Sequence, residues 1–488
     1  MTNARRFFVA YVWNMFGKLF IRGLGVISTL FIVRLLSPED FGIIAISIMV
    51  VGFFAVLTNC GANRYLILHD SPTDDDFNSV WTLNILLRFV ALAAMWVFVP
   101  FIVVIFEQPD IKYAVVAMAC IQALAAFNNI GIIQQEKDMQ LGPINKVMIV
   151  AKVASAIATI YFAWILRNFY ALIIGTSVNV IVTIIGTYMV SEFRPKFRFK
   201  FKKDLFSFSS YLLIRNVVSY CRSQLDILLV GKLFGTSAAG GYSIARQFAT
   251  MPQTEIITPA MQPLFSLMST LKNRPKQFER KLYQTYFYSY LLIFPASIGL
   301  YFVAEPFVLT VLGEKWAFTS SYFGLLGFLM IIFLTQQALY MVYDARNKVI
   351  HSLIPDLLGI LFMVCAVVLY QPANETIFTE LRIFIAAISY CILLLCAKVF
   401  VGISIIKVIV SAAIPFFASL IMALVLYNNY FDNEIEAIEL IANSVIGGMV
   451  YVITVVSTMC VLFKINPKHD LIIYLPNSIV LQLKKLLL

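Results

Sequence analysis

The sequence is a series of long apolar segments separated by short polar ones, and this pattern restricts the fold strongly. A helix crosses a bilayer with about 20 apolar residues, and segments of this length recur along the whole chain. Of its 488 residues, 61% are hydrophobic and only 13% are charged, whereas a soluble domain has about 25% charged residues. A backbone in lipid must satisfy its hydrogen bonds internally, which favours helices. The sequence therefore predicts an all-α, polytopic membrane protein.

We expect about fourteen membrane-spanning helices. The expected spans are 11–35, 41–66, 81–106, 112–132, 145–166, 169–190, 205–231, 240–268, 283–312, 319–343, 350–370, 381–401, 408–427 and 437–463. The first is interpreted as a retained helix, because Lys18 and Arg22 interrupt its apolar run and no small-residue cleavage site follows. The loops are short, so no soluble domain is expected.

The lysines and arginines of the loops predict the orientation. Of the 37 basic residues, 23 fall in loops on the side of the N-terminus and six in loops on the other side. Cytoplasmic loops carry this excess, so both termini are expected in the cytoplasm. The loop 192–204 alternates aromatic and basic residues. It either anchors the protein by the same rule or contacts anionic lipid headgroups or a diphosphate.

One predicted span, within residues 205–241, carries charges that lipid would not tolerate. Each charge at a helix centre costs roughly 2.5–3.5 kcal/mol. The polar residues are Arg215, Ser219, Arg222 and Asp226, and their spacings of four, three and four place them on one helical face. The segment is therefore predicted to be a membrane helix with one wet, mainly cationic side.

Further polar residues lie inside other spans. They are Asn14, Lys18 and Arg22 in the first span, Arg246, Gln247 and Glu255 in the eighth, and Arg64, Arg88 and Lys152 nearer the expected cytoplasmic ends. Internal pairing, such as Arg222 with Asp226, is one explanation for the central charges, and snorkelling is one for the last three. Because bases outnumber acids in these spans, an anionic ligand in a water-filled cavity is the favoured interpretation.

The chain contains an internal repeat. Residues 34–42 (RLLSPEDFG) align with residues 232–240 (KLFGTSAAG), and residues 100–110 align with residues 306–316. An even number of helices per repeat predicts two parallel lobes. The expected domains are an N-lobe at 1–190, a basic cytoplasmic loop at 191–204, a C-lobe at 205–403, and two further helices with a basic tail at 404–488.

The seven cysteines lie in apolar segments and the three histidines are far apart, so no metal site is predicted. The net charge of +11 is explained by the loops, so no nucleic-acid partner is expected.

Several segments resemble the Wzx-type oligosaccharide flippases, within the superfamily that also contains multidrug extruders and the lipid II flippase. They are RLLSPEDFGIIAI (34–46), SVWTLNILLR (79–88), QPDI (108–111), residues 216–252 and VLGEKW (311–316). The second repeat departs from the first at 235–238, where GTSA replaces SPED. The resemblance implies a V-shaped bundle of two six-helix lobes plus two C-terminal helices, which form a lipid-tail groove in the lipid II flippase.

The resemblance also implies a function: flipping of an undecaprenyl-diphosphate-linked oligosaccharide to the outer leaflet of the bacterial inner membrane, for O-antigen, capsule or exopolysaccharide assembly. Membrane lipids, a polymerase and a chain-length regulator are the expected partners. No enzymatic activity or cofactor is expected beyond coupling to H+ or Na+. Two alternatives are a cation-coupled small-molecule extruder of the same fold and a membrane polysaccharide polymerase.

Residue roles follow from this hypothesis. The central cavity would be lined by Asn14, Lys18, Arg22, Arg215, Arg222, Arg246 and Gln247. The candidates for ion coupling are Asp226 and Glu255, and the candidates for admitting the substrate from the cytoplasm are Arg64, Arg88 and Lys152.

Overall fold

The structure is a computed structural model that describes two compact units, residues 1–243 (unit 1) and 244–488 (unit 2). Each unit is considered by itself. The described residues are 3–58, 62–68, 71–138, 140–198, 200, 210–261, 271, 274–346, 348–428 and 430–465.

The helices of unit 1 are α1 (Asn3–Leu35), α2 (Pro38–Thr58), α3 (Ala62–Leu68), α4 (Asp74–Phe106), α5 (Asp110–Leu124), α6 (Ile132–Lys137), α7 (Leu141–Leu166), α8 (Tyr170–Val190) and most of α9 (Ser210–Ala249). A π-helix (Pro252–Ile257) follows α9, and the α-helices of unit 2 are α10 (Pro275–Phe302), α11 (Ala304–Phe307), α12 (Ser320–Ala345), α13 (Leu353–Tyr370), α14 (Glu375–Val401), α15 (Ile405–Asn428) and α16 (Glu436–Ile465). The predicted all-α class is confirmed.

The number of spanning helices differs from the prediction. Eleven helical stretches of the described chain are long and apolar enough to cross a membrane, or twelve if a pair bent by 84° between Phe302 and Ala304 counts as one span. The count of fourteen is therefore not confirmed. Residues 213–261 count as one stretch, although the backbone breaks at Gly235 between the two predicted spans, and the basic helix α1 is not among the described stretches that qualify. The chain is a multi-pass membrane protein.

The apolar core of unit 1 is formed by α2, α4, α5 and α8, which pack around fully buried residues such as Ile46 and Ile111. Ile227 and Ala239 of α9 belong to the same core, so close packing fixes α9 to these helices. The lobe boundaries expected at 190 and 205 stay predictions.

The first repeat motif is a helix cap that also joins two helices. Ser37 Oγ accepts from the backbone N–H of Asp40 at 3.2 Å, while the Asp40 carboxylate accepts from the Ser37 N–H at 3.0 Å. This reciprocal pair is a capping box at the start of α2. The other Asp40 carboxylate oxygen accepts from the N–H of Phe169, just before α8, at 2.9 Å. The neighbouring Glu39 accepts a hydrogen bond from Gln108 of the QPDI motif.

The second repeat motif lacks such a cap, and its tight turn is made at a single residue, Gly235. The backbone is helical on both sides of Gly235, and only Gly235 departs from helical geometry, at φ 88° and ψ 178°. Gly235 aligns with Ser37, and the buried Ala238 aligns with Asp40. The break needs a glycine, because a side chain disfavours this positive φ. The chain reverses direction at this break, because the Tyr242 hydroxyl reaches the Asp226 carboxylate and a Cβ on Gly231 would lie 3.4 Å from the Cβ of Ala239. The predicted turn therefore joins two antiparallel helical arms of α9.

The basic loop is an extended segment bound along α4, which we call the basic strap (residues 191–198 and Lys200). Three of its backbone N–H groups donate to α4 side chains: Lys196 to Asn78 at 2.7 Å, Arg198 to Thr82 at 3.2 Å, and Lys200 to Ser79 at 3.1 Å. Alternate residues donate because an extended chain turns every second N–H to the same side. The aromatic residues of the strap stack on α4, with Phe193 and Phe197 against Phe77 and Trp81.

The strap also contacts an acidic run, Asp74 to Asp76, in the first turn of α4. Asp75 forms ion pairs with Arg198, at 3.2 Å, and with Lys200. Asp76 instead closes a capping box with Thr73 at the start of α4. Two of the strap's bases are thus bound to protein, which favours anchoring over a purely headgroup-facing loop.

Unit 2 is built around α10, α12, α14 and α15. Its core contains tyrosines whose hydroxyls reach backbone acceptors, such as Tyr286 to the Thr335 carbonyl and Tyr343 to the Leu393 carbonyl, both at 3.3 Å. Buried hydroxyls in a membrane helix need such acceptors.

Candidate functional site

Helices α1 and α7 lie side by side in unit 1 and are in contact at two glycines of α1. A Cβ placed on Gly17 would lie 3.7 Å from Cδ1 of Ile149, and one on Gly25 would lie 3.5 Å from the ammonium Nζ of Lys152. Residue numbers rise together on both helices, so the two run parallel.

This contact brings together three basic residues predicted from separate spans. Lys18, Arg22 and Gly25 are spaced four and three residues apart, so they follow one face of α1. Lys152 of α7 reaches that face at Gly25. Lys152 lies eleven residues into α7, about 16 Å from its start at 1.5 Å per residue. Lys18 and Arg22 are exposed, and Lys152 is half-buried.

The polar stripe on α9 has the geometry that its spacing predicts. The backbone is helical from Ser210 to the break at Gly235, so the stripe occupies one face. Arg215 and Arg222 are half-buried, whereas Asp226 is 1% exposed. The hydroxyl of Tyr242, itself fully buried, donates to the Asp226 carboxylate at 3.5 Å.

The side of α9 away from this stripe is attached to α2. The Tyr220 hydroxyl donates to the carbonyl of Met49 at 2.8 Å. Gly52 makes room for that hydroxyl, since a Cβ there would lie 2.1 Å from it. Beside this contact lies a largely apolar cavity of about 470 Å³, lined by residues of α2, α4 and α9 that include Gln224. The Tyr220 hydroxyl therefore binds the backbone of α2.

The other candidate residues lie elsewhere. Arg88 is half-buried and its Nη1 donates to the carbonyl of Gln122, at 2.9 Å, which ties α4 to α5. In unit 2, Arg246 and Glu255 are half-buried and Gln247 is exposed. The side chains of Asn14 and Arg64 lie outside the described part of the structure. The roles assigned to all these residues stay predictions.

The arrangement in unit 1 can bind an anion within the membrane. Bases inside spanning helices are stable only where they meet water, a counter-charge or a ligand. Arginine can hold two phosphate oxygens with a planar fork, whereas lysine acts as a point charge. The α1–α7 contact supplies both types of base.

Comparisons with known proteins agree with this description. A family model described as "Polysaccharide biosynthesis protein" matches residues 31–321, which is more than half of the chain. The succinoglycan biosynthesis transport protein ExoT of Rhizobium meliloti is 23% identical over 317 residues, or 64% of each chain. An uncharacterized membrane protein in the cps region of Klebsiella pneumoniae is 24% identical over 463 residues, covering 91% of this chain and 93% of that protein.

The fold is that of a known flippase. The lipid II flippase MurJ, in an inward closed conformation, superposes with a TM-score of 0.71 at 16% identity, over 93% of this chain and 99% of MurJ. At this identity the similarity shows the fold alone. The chain belongs to the polysaccharide biosynthesis protein family, in agreement with the resemblance of its motifs to Wzx-type flippases, and it has a MurJ-like fold.

Proposed function

We propose that the chain flips an undecaprenyl-diphosphate-linked oligosaccharide from the cytoplasmic to the outer leaflet of the bacterial inner membrane by alternating access. The observation that carries the proposal is the group of bases at the α1–α7 contact, where Lys152 of one helix meets the Lys18 and Arg22 face of the other. A diphosphate is a ligand whose negative charge complements this group of bases.

Bases within a membrane helix cost free energy unless an anion or water meets them. Each basic residue near the centre of a membrane helix costs roughly 2.5–3.5 kcal/mol when it faces lipid. The arginines at 215 and 222 on α9 add to this cost in the same unit. A doubly charged headgroup that is carried through the membrane offsets the cost of these bases. The hydrogen bonds it accepts from them are charge-assisted and about twice as strong as neutral ones.

The relatives support a polysaccharide substrate. ExoT is named as a transport protein of succinoglycan biosynthesis, and the structural neighbour MurJ is named as a flippase of lipid II, which is a lipid-linked sugar. The activity proposed is transport with no covalent step. A polymerase and a chain-length regulator acting on the flipped product are the proposed partners.

Coupling and orientation complete the proposal. Asp226 is a buried carboxyl group inside a spanning helix, and Glu255 is a half-buried one in the π-helix. Either can exchange H+ or Na+ during transport. Both termini are proposed to be cytoplasmic, because the basic loops lie on their side.

The test is genetic and biochemical. In a strain that lacks its own copy of this gene, Arg215→Gln and Arg222→Gln should each reduce surface polysaccharide several-fold at normal protein level. Arg274→Gln, which removes an exposed arginine before α10, should leave it unchanged. In liposomes, purified Arg215→Gln and Arg222→Gln proteins should flip a fluorescent lipid-linked oligosaccharide more slowly than the wild type. The Arg274→Gln protein should flip it at the wild-type rate. Wild-type polysaccharide and wild-type flipping in both stripe variants would refute the proposed role of α9.

A further inference from the structure

A second feature of unit 1 lies outside the candidate substrate site: a groove between the first half of α7 and the last half of α8. Its volume is about 520 Å³ and it extends from Pro143 to Val150 on α7. Gly186 lies in its wall on α8, where a Cβ would come within 2.4 Å of Val147. Its edges are strongly exposed, with Val150 58% and Met189 80% accessible.

The groove faces away from the candidate site. On α7, the residues near α1 are Asn145, Ile149 and Lys152, spaced four and three residues apart. The groove residues Pro143, Lys146 and Val150 are spaced three and four residues apart on another face. Because both helices are long and apolar enough to span the membrane, this outer face meets bilayer lipid.

Charge distinguishes one end of the groove. Lys146 is its one charged lining residue, and every other residue that lines it is apolar. Lys146 is exposed, and no carboxylate forms an ion pair with it within the described residues. It lies five residues into α7, about 8 Å from the start of the helix, which is the depth of lipid headgroups.

The same end carries further basic residues. Val190 closes the groove at the end of α8, and the exposed Arg194 follows four residues later in the basic strap. This is the side predicted to be cytoplasmic, where the leaflet contains anionic lipids. From 143 to 150 the groove is about 10 Å long, enough for the upper part of one acyl chain.

We propose that the α7–α8 groove binds an anionic diacylphospholipid of the cytoplasmic leaflet, with an acyl chain along Val147 and Gly186 and the headgroup phosphate at Lys146. Basic pockets between membrane helices on this side are typical sites for such headgroups. The lipid would be a structural partner of unit 1 and is independent of the flipped substrate.

The test is lipid binding to the purified full chain, measured by native mass spectrometry during titration with dioleoylphosphatidylglycerol or dioleoylphosphatidylcholine. Lys146→Gln should weaken binding of the anionic lipid about fivefold, the ratio that corresponds to about 1 kcal/mol for one basic residue at an anionic surface. Val150→Trp should fill the groove and weaken it further. Phosphatidylcholine should bind at least fivefold less tightly to the wild type.

Matched controls separate this site from general charge and size effects. Lys398→Gln removes an exposed lysine from the last turn of α14, and Ile157→Trp adds a tryptophan at a 64% exposed position of α7 outside the groove. Both should bind like the wild type. Three results would overturn the proposal. They are a wild-type affinity for phosphatidylglycerol in Lys146→Gln, a loss of affinity in Lys398→Gln as large as that in Lys146→Gln, and binding of phosphatidylcholine to the wild type as tight as that of phosphatidylglycerol. Displacement of the phospholipid by sub-stoichiometric undecaprenyl phosphate would assign the groove to the substrate lipid instead, which also overturns it.

Discussion

Gly42 and Gly240 hold equivalent positions in the two repeats, and their helices pack against each other reciprocally. A Cβ on Gly42 would lie 1.8 Å from the carbonyl oxygen of Thr236, and a Cβ on Gly240 would lie 1.8 Å from the carbonyl oxygen of Pro38. Pro38 and Thr236 are themselves equivalent in the repeat. The contact is therefore two-fold symmetric at backbone level, and it lies wholly within unit 1. The repeat found in the sequence is thus also a packing surface.

Alanine at either glycine should weaken this contact. A Cβ at 1.8 Å from a backbone oxygen cannot be accommodated by a side-chain rotation, so the helices must separate, at a cost of roughly 1–3 kcal/mol. Gly42→Ala and Gly240→Ala should each lower the thermal unfolding midpoint in detergent by several degrees. Gly448→Ala in α16 has nothing within 4 Å of the new Cβ and should not lower it. Equal midpoints for all three variants would contradict the reciprocal contact.

The fold class and the helical faces could be predicted from sequence because both depend on local patterns. Apolar length predicts spanning helices, and the spacing of Arg215, Ser219, Arg222 and Asp226 predicts their common face. Gly235 follows the same reasoning: a glycine between small residues predicts a turn, and the chain does reverse there, which brings Tyr242 back to Asp226.

The candidate site was predictable residue by residue but not as an arrangement. The basic face of α1 follows from sequence, yet its neighbour α7 is separated from it by five helices in the chain. Nothing in the spacing of Lys152 indicates that its ammonium lies beside Gly25. Likewise, the acidic run at 74–76 gives no sign that Asp75 binds a segment more than a hundred residues away.

Asp40 should contribute more to stability than its position at the edge of a loop suggests. Asp40→Ala removes the carboxylate half of the capping box with Ser37 and leaves the Phe169 N–H without its acceptor. A lost cap costs about 1 kcal/mol, and an unsatisfied partly buried donor costs about 1–3 kcal/mol. The unfolding midpoint should therefore fall measurably.

Asp110→Ala is the matched control for Asp40. Asp110 is an exposed acid in the first turn of α5, where its interaction with the helix dipole is worth about 0.3–1 kcal/mol. Its loss should shift the midpoint less. A shift for Asp110→Ala as large as that for Asp40→Ala would mean that the link to α8 contributes nothing.

Asp75 should help to hold the basic strap against α4, and the rate at which trypsin cleaves the strap measures this contribution. Arg198 and Lys200 are cleavage sites whose side chains pair with Asp75. Asp75→Asn should speed cleavage there up to about fivefold, because exposed ion pairs contribute about 0–1 kcal/mol. Asp74→Asn, at the adjacent residue outside these ion pairs, should cleave at the wild-type rate. If both variants cleave alike, the backbone hydrogen bonds to Asn78, Ser79 and Thr82 hold the strap without help from the charge.

Lys152 provides a functional test of the α1–α7 contact. Lys152→Met keeps the length of the side chain and its packing beside Gly25 but removes the charge. If the bases bind a diphosphate, one lost charge-assisted hydrogen bond, worth about 1.5–3 kcal/mol, should lower substrate affinity at least tenfold. The measurement is the concentration dependence of flipping in liposomes, with the unfolding midpoint as a check on folding. Lys112→Met removes an exposed lysine near the start of α5 and should flip like the wild type. An unchanged affinity in a folded Lys152→Met protein would assign Lys152 to helix packing alone, and the anion site would then depend on α9.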